Sequence, residues 1–188
     1  MSGTVWEALS AIGTLGAVVV ALGIAGHSAL ANRRAENDRS ELAAAKMLSP
    51  LSAIERKAAY LSVCFAFSEG DFAEPNPNVL AALDELEALA RAVSIEDLHP
   101  LLKLPRHAAK RSARALGLIQ TFVNETYALL AHKNWPEMDN CQRAIHYNSW
   151  LQKISEIQDH LIVAVSVCES AASTGAPRPS PEEMYGDP

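Results

Sequence analysis

The sequence predicts an all-α protein: a single N-terminal transmembrane helix continuing into a cytoplasmic bundle of about four helices. Three observations carry that reading. A long uncharged apolar run lies near the N-terminus, apolar residues recur at spacings of three and four through the rest, and clusters of Gly, Pro and Asn separate the periodic segments. β-branched residues are sparse beyond the first segment, while Ala, Leu and Glu recur, which is helix-forming composition. The resulting boundaries are 1–32 for the anchor, 33–173 for one helical domain and 174–188 for a disordered tail.

The anchor comes first. From Ala8 to Asn32 there is no Asp, Glu, Lys or Arg, and a helix of that length extends about 37 Å, more than a roughly 30 Å hydrocarbon core requires. Trp6 sits where an interfacial aromatic would, and Arg33, Arg34 and Arg39 lie on the C-terminal side. The positive-inside bias then places the protein in the inner (plasma) membrane as a single-pass chain, its N-terminus outside and its C-terminal domain cytoplasmic. Two rivals are a cleaved signal peptide, since Ala29-Leu30-Ala31 resembles a small-x-small cleavage site, and a buried helix of a globular fold. Against cleavage, Met1 to Glu7 carries no basic side chain.

Gly13, Ala17, Ala21, Ala25 and Ala29 recur every four residues, so helices packed along this stripe can approach closely. The stripe is the candidate oligomerisation surface within the membrane, although Ala and Gly are also simply common in spans. His27 is the only titratable residue between Glu7 and Arg33, which argues against a proton relay.

Beyond the anchor, Leu51, Ile54, Ala58, Leu61 and Phe65 form a heptad-like series, with Pro50 expected to kink or break it. The stretch from Glu69 to Asn78 collects turn residues. Val79, Leu83, Leu86, Ala90 and Val93 then mark a second helix. Ser94-Ile-Glu-Asp97 resembles a capping box, and Pro100 and Pro105 confine the segment it opens to a short connector. A long helix is predicted from Arg106 to about Lys133, with Leu116, Ile119, Val123 and Leu130 on its apolar face. After Trp135-Pro136, Asp139 or Asn140 caps the last helix, whose Tyr147, Trp150, Ile154, Ile157, Leu161, Ala164 and Cys168 keep a regular 3-4 seam. The Pro-rich acidic tail after Ser173 buries too little apolar surface to fold alone.

Function is less legible. A net charge of -6 excludes a general polyanion binder, so nucleic acid is a disfavoured partner. Three cysteines, Cys64, Cys141 and Cys168, lack paired spacing and read as reduced, mostly buried thiols. No phosphate loop, Cys-x-x-Cys pair, His-Glu-x-x-His helix or nucleophile elbow occurs, and neither a cofactor nor a metal is expected. Among the six histidines, His27, His99, His107, His132, His146 and His160, none pairs with another at helical spacing. Glu156 and His160 share a face at i, i+4, but a metal-binding bundle needs several inward carboxylates. Arg143 and His146, at i, i+3, offer a weak phosphate-directed pair with Tyr147 beside them.

The most suggestive feature is basic: Lys103, Arg106, Lys110, Arg111 and Arg114, with His107 among them. On one continuous helix most of these form a stripe suited to lipid headgroups or an acidic partner, the bland alternative being a solvated face balancing the acidic residues at 84–87. The expected function is a membrane-tethered, non-enzymatic interaction or regulatory protein, its partners being membrane lipid, further copies of itself and a second protein. The rival is an oligomeric membrane effector or pore-forming protein of the bacterial-defence type, triggered through the cytoplasmic domain. That rival rests on architectural analogy alone.

Overall fold

The computed structural model describes the backbone of residues 3–67 and 76–185, and the side chains of 19–67, 76–180 and 182–184. Its elements are α1 (Gly3–Ala66), α2 (Pro77–Arg91), α3 (Ile95–Leu98), α4 (Ala108–Leu130), α5 (Asn140–Gly175) and α6 (Pro181–Tyr185). Two 3-10 turns, His99–Lys103 and Pro105–His107, connect α3 to α4. No strand occurs among the described residues, so the all-helical class read from the sequence is present. The chain divides into two compact units, Met1–Asp38 and Arg39–Pro188.

The transmembrane anchor is overturned. Among the described residues no helix is long and apolar enough to cross a membrane. In the part of α1 whose side chains are described, Gly23, Gly26, His27 and Ser28 lower the hydropathy, and Arg33 and Arg34 follow. The single-pass inner-membrane location and its topology, which rested on that span, fall with it, as does the bilayer setting of the small-residue stripe. Within the stripe, Ala21, Ala25 and Ala29 are exposed, while the side-chain positions of Gly13 and Ala17 lie outside the described residues.

In the second unit one hydrophobic core joins α1, α2, α4 and α5. The periodic residues of α1 from Leu51 to Phe65 are all buried, as are Val79, Leu83 and Leu86 of α2. The seven residues of the α5 seam are likewise buried. Pro50 does not break α1, which runs through it. A helix-interior proline removes one backbone hydrogen bond, and Met47, Leu51 and Ile54, buried on both sides of Pro50, hold the helix together across that gap.

At one end of the unit the core is aromatic. Trp150 stacks on Trp135 with centroids 5.6 Å apart, meets Tyr147 edge-on at 5.2 Å and lies 5.6 Å from Phe65. Phe65 in turn meets Phe122 of α4 edge-on at 6.0 Å. These offset and edge contacts are the arrangements the ring quadrupoles favour. Buried hydroxyls within α4 are satisfied locally: Ser112 donates to the Ala108 carbonyl at 3.0 Å and Thr126 to the Phe122 carbonyl at 2.8 Å. Between α2 and α4, the Tyr127 hydroxyl lies 2.6 Å from Asp84 Oδ1 and 3.1 Å from the Leu80 carbonyl. Burial, and then the Asp84 carboxylate, push that hydroxyl up to about 12.

Helix ends obey the sequence signals closely. Ser94 and Asp97 form the expected capping box of α3, and Asp139 forms another with Gln142 at the start of α5. Asn76 caps α2 ahead of Pro77. In the Pro-rich tail, Ser180 and Glu183 make a third reciprocal pair that opens the single turn of α6. The thiols differ from expectation in one case, since Cys168 is buried and Cys64 half-buried but Cys141 is exposed, and none forms a disulfide.

Asp97 also ties α3 to α1, accepting from Lys46 Nζ at 2.8 Å. The Lys46 ammonium, and then the Ser94 hydroxyl and backbone N–H, hold its carboxyl down at about 2 from an ordinary 3.8. The folded-state value lies below the unfolded one, so this carboxylate stabilises the fold fully above about pH 4 and loses that contribution as pH falls toward 2. Asp97→Asn is therefore expected to flatten part of the fall in melting temperature across that window, read by thermal melts at stepped pH. Trp150→Ala is expected to destabilise the full chain by about 3–5 kcal/mol in chemical denaturation. An unchanged midpoint would show that the aromatic seam does not hold the fold.

Candidate functional site

The basic residues that the sequence places on one stripe lie on three different local structures. Lys103 ends the first 3-10 turn, Arg106 lies in the second, and Lys110, Arg111 and Arg114 lie on α4, which begins only at Ala108. Continuity fails at Pro105, whose preceding residue Leu104 is extended (ψ 149°), as the steric demand of a proline ring requires. Arg106 and His107 then adopt left-handed backbone conformations, φ 54° and 57°. Two consecutive non-glycine residues in that region carry a steric penalty of about 1–2 kcal/mol each. Part of the compensation is visible, because Arg111 Nε donates to the Arg106 carbonyl at 3.0 Å and pins the turn to the first coil of α4.

The turn re-aims the basic cluster toward α5. His107, Lys110, Arg111, Arg114 and His160 line a shallow open groove of about 370 Å³. Arg111 Nη1 lies 3.3 Å from His160 Nδ1, and Arg114 Nε donates to His160 Nε2 at 3.1 Å. The outer Arg114 Nη2 donates to Glu156 Oε1 at 2.7 Å. A neutral imidazole has one acceptor nitrogen and one N–H, so only one of the two guanidinium groups can donate to the ring at a time. The other faces a ring N–H. With the Lys110 ammonium added, donors along this groove outnumber the acceptors that line it. An oxygen-rich anionic group would meet that surplus with charge-assisted hydrogen bonds. The exposed Arg114–Glu156 pair itself contributes little stability.

Sequence reasoning found three members of this groove, Lys110, Arg111 and Arg114, and noted His107. It missed the role of His160, which it paired with Glu156 as a weak metal motif. The signal was present in the register of α4 against α5, but spacing within a single helix does not reveal register between two. Lys103 and Arg106 do not line the groove, although the Arg106 carbonyl supports Arg111.

The other candidates separate. Arg143 is buried and donates to Asn140 Oδ1 at 2.7 Å. His146 lies against Trp135 and lines a different, open hollow with Glu137 and Gln142. The two therefore do not converge on a common open site. Among the described residues, no group of three or more His, Cys, Asp or Glu is placed to hold a metal ion. Burial pushes the Cys168 thiol up to about 11, which leaves it protonated and unreactive at neutral pH.

The left-handed turn yields a direct test of how the cluster is held. Glycine adopts φ near 54° without steric cost, whereas a β-branched residue there is strongly disfavoured. Arg106→Gly is expected to be more stable than Arg106→Val by about 1–2 kcal/mol in denaturant titrations, and equal stabilities would mean that the turn is not built this way. No family model matches the chain, and no curated protein or solved structure matches it either.

Proposed function

We propose that this is a non-enzymatic interaction protein whose helical unit docks an acidic segment of a protein partner in the groove between α4 and α5. The observation that carries the reading is the convergence of Arg111 and Arg114 on the two nitrogens of His160, with Lys110 beside them. Two guanidinium groups in fixed positions suit carboxylates, because planar paired N–H donors match two-oxygen acceptors. An overall charge of -6 disfavours binding to extended polyanions. A local basic groove on such a chain selects short acidic elements and orients them.

The groove is exposed, so the interaction depends on salt. Affinity capture with the full chain is expected to retain a partner that is lost with Arg111→Glu/Arg114→Glu and weakens at least several-fold when ionic strength is raised. Thermal melts of the variant check that its fold is kept. A partner held equally by both proteins would show that the groove is not the docking surface.

Self-association is a second element of this proposal, supported by a separate observation. Val19, Val20, Leu22, Ile24 and Leu30, distributed around α1, are between 58% and 67% exposed, and removal of this apolar surface from water favours pairing with a second copy. Ala21, Ala25 and Ala29 on the same segment allow close approach. Sedimentation velocity of the full chain is expected to show an oligomer that Leu22→Glu/Ile24→Glu shifts toward monomer. A wild-type chain that sediments as a monomer would remove this element.

A further inference from the structure

A second groove meets the basic one at Lys110 and has the opposite character. Ile95, Leu98, Leu102, Ala109 and Ala113 line it, with Lys110 at its rim. Ile95 is 67% and Leu102 53% exposed, so two large apolar side chains stand in solvent beside a cation. Its complement in shape and charge is a short helical element that is apolar on one side and acidic on the other.

The chain carries such an element. Residues 181–185, Pro-Glu-Glu-Met-Tyr, form α6, whose first turn is organised by the reciprocal Ser180–Glu183 pair at 2.7 and 3.2 Å. Glu182, Glu183 and Met184 are all exposed. One turn of helix is marginal in water without a surface to pack on, so α6, exposed at Glu182, Glu183 and Met184, is preset in sequence for a packing partner.

Placement brings the two together. Gly175, the last residue of α5, abuts α1 so closely that a Cβ there would lie 2.6 Å from Glu41 Oε2. Lys46, five residues further along α1 and about 7.5 Å away along its axis, holds Asp97 of α3 at 2.8 Å. The tail therefore leaves α5 beside the stretch of α1 to which Lys46 fastens α3, the helix whose Ile95 and Leu98 line the groove. The five connecting residues 176–180 include Pro177 and Pro179 and span about 15 Å when extended.

We propose that α6 docks back into this apolar groove of its own chain, with Met184 against Leu98, Leu102 and Ala109 and the Glu182–Glu183 pair facing Lys110. The docked tail covers the end of the α4 surface that the basic groove shares, and so competes with any ligand that uses Lys110. This inference stands independently of what the basic groove binds.

The test places a photoreactive benzophenone side chain at exposed position 102 of the full chain. Irradiation is expected to give a product of monomer mass, with the crosslink mapping to residues 181–188. Lys110→Glu lowers its yield several-fold, and Glu182→Lys on that background, which leaves the Ser180–Glu183 pair intact, restores it. In the wild-type background, a chain ending at Gly175 is expected to show several-fold faster hydrogen exchange in residues 95–104. Crosslinks of dimer mass, which would mean a second copy's tail, overturn the proposal. So do the absence of tail crosslinks, a yield indifferent to the charge reversals, and unchanged exchange in the shortened chain.

Discussion

Trp150 is where the second unit is fastened. Its ring contacts Phe65 from α1, Trp135 from the connection between α4 and α5, and Tyr147 from its own helix, and Phe65 carries the cluster on to Phe122 of α4. An aromatic ring buries more area than an aliphatic side chain and accepts only a few packing geometries. One such cluster therefore fixes rotation and axial position together for three helices. Once Trp150 and Phe122 are both packed on Phe65, the register of α4 against α5 is set. Lys153 then meets Glu125, and Arg114 meets Glu156 and His160 further along.

That register makes the basic groove. Arg111 and Arg114 are on one helix and His160 on another, and a slip of one residue between α4 and α5 would rotate the histidine by about 100° away from them. The left-handed pair Arg106–His107 supplies the second constraint, ending the connector abruptly enough for α4 to start at Ala108 with its basic residues aimed at α5. Strain at this turn and packing at the far end of the unit therefore act on the same few side chains. Perturbing either displaces the groove without touching a residue that lines it.

Much of the helical unit was legible in the chain. The 3-4 spacing from Tyr147 to Cys168 and from Leu51 to Phe65 marks buried faces directly, because a helix packed on a core must repeat its apolar residues near every 3.6 positions. Caps were legible for the same kind of reason: Ser94 with Asp97, and Asp139 or Asn140 ahead of the last helix, answer a local need of the backbone, while the choice of Asp139 and its partner Gln142 came from the structure. Local steric information was weaker at Pro50, where burial of Met47, Leu51 and Ile54 outweighs the lost hydrogen bond, and at Arg106 and His107, where no residue type announces a left-handed backbone. The anchor expectation rests on the length of the uncharged run from Ala8 to Asn32, on Trp6 and on the arginines that follow, whereas among the described residues no helix is long and apolar enough to cross a membrane. His160 was invisible as a member of the basic site because nothing within α5 encodes what α4 presents to it.

The uneven burial of the three cysteines has a practical corollary. Cys168 is enclosed and its thiol stays protonated, Cys64 is partly covered, and Cys141 stands exposed in the first turn of α5 beside the Asp139–Gln142 capping pair. A maleimide dye added at neutral pH would accordingly enter first at Cys141. That position lies about 28 Å along the helix axis from His160, far enough for the fluorophore to report on tumbling and separation without crowding either groove. The native sequence thus offers a spectroscopic handle at the aromatic end of the unit.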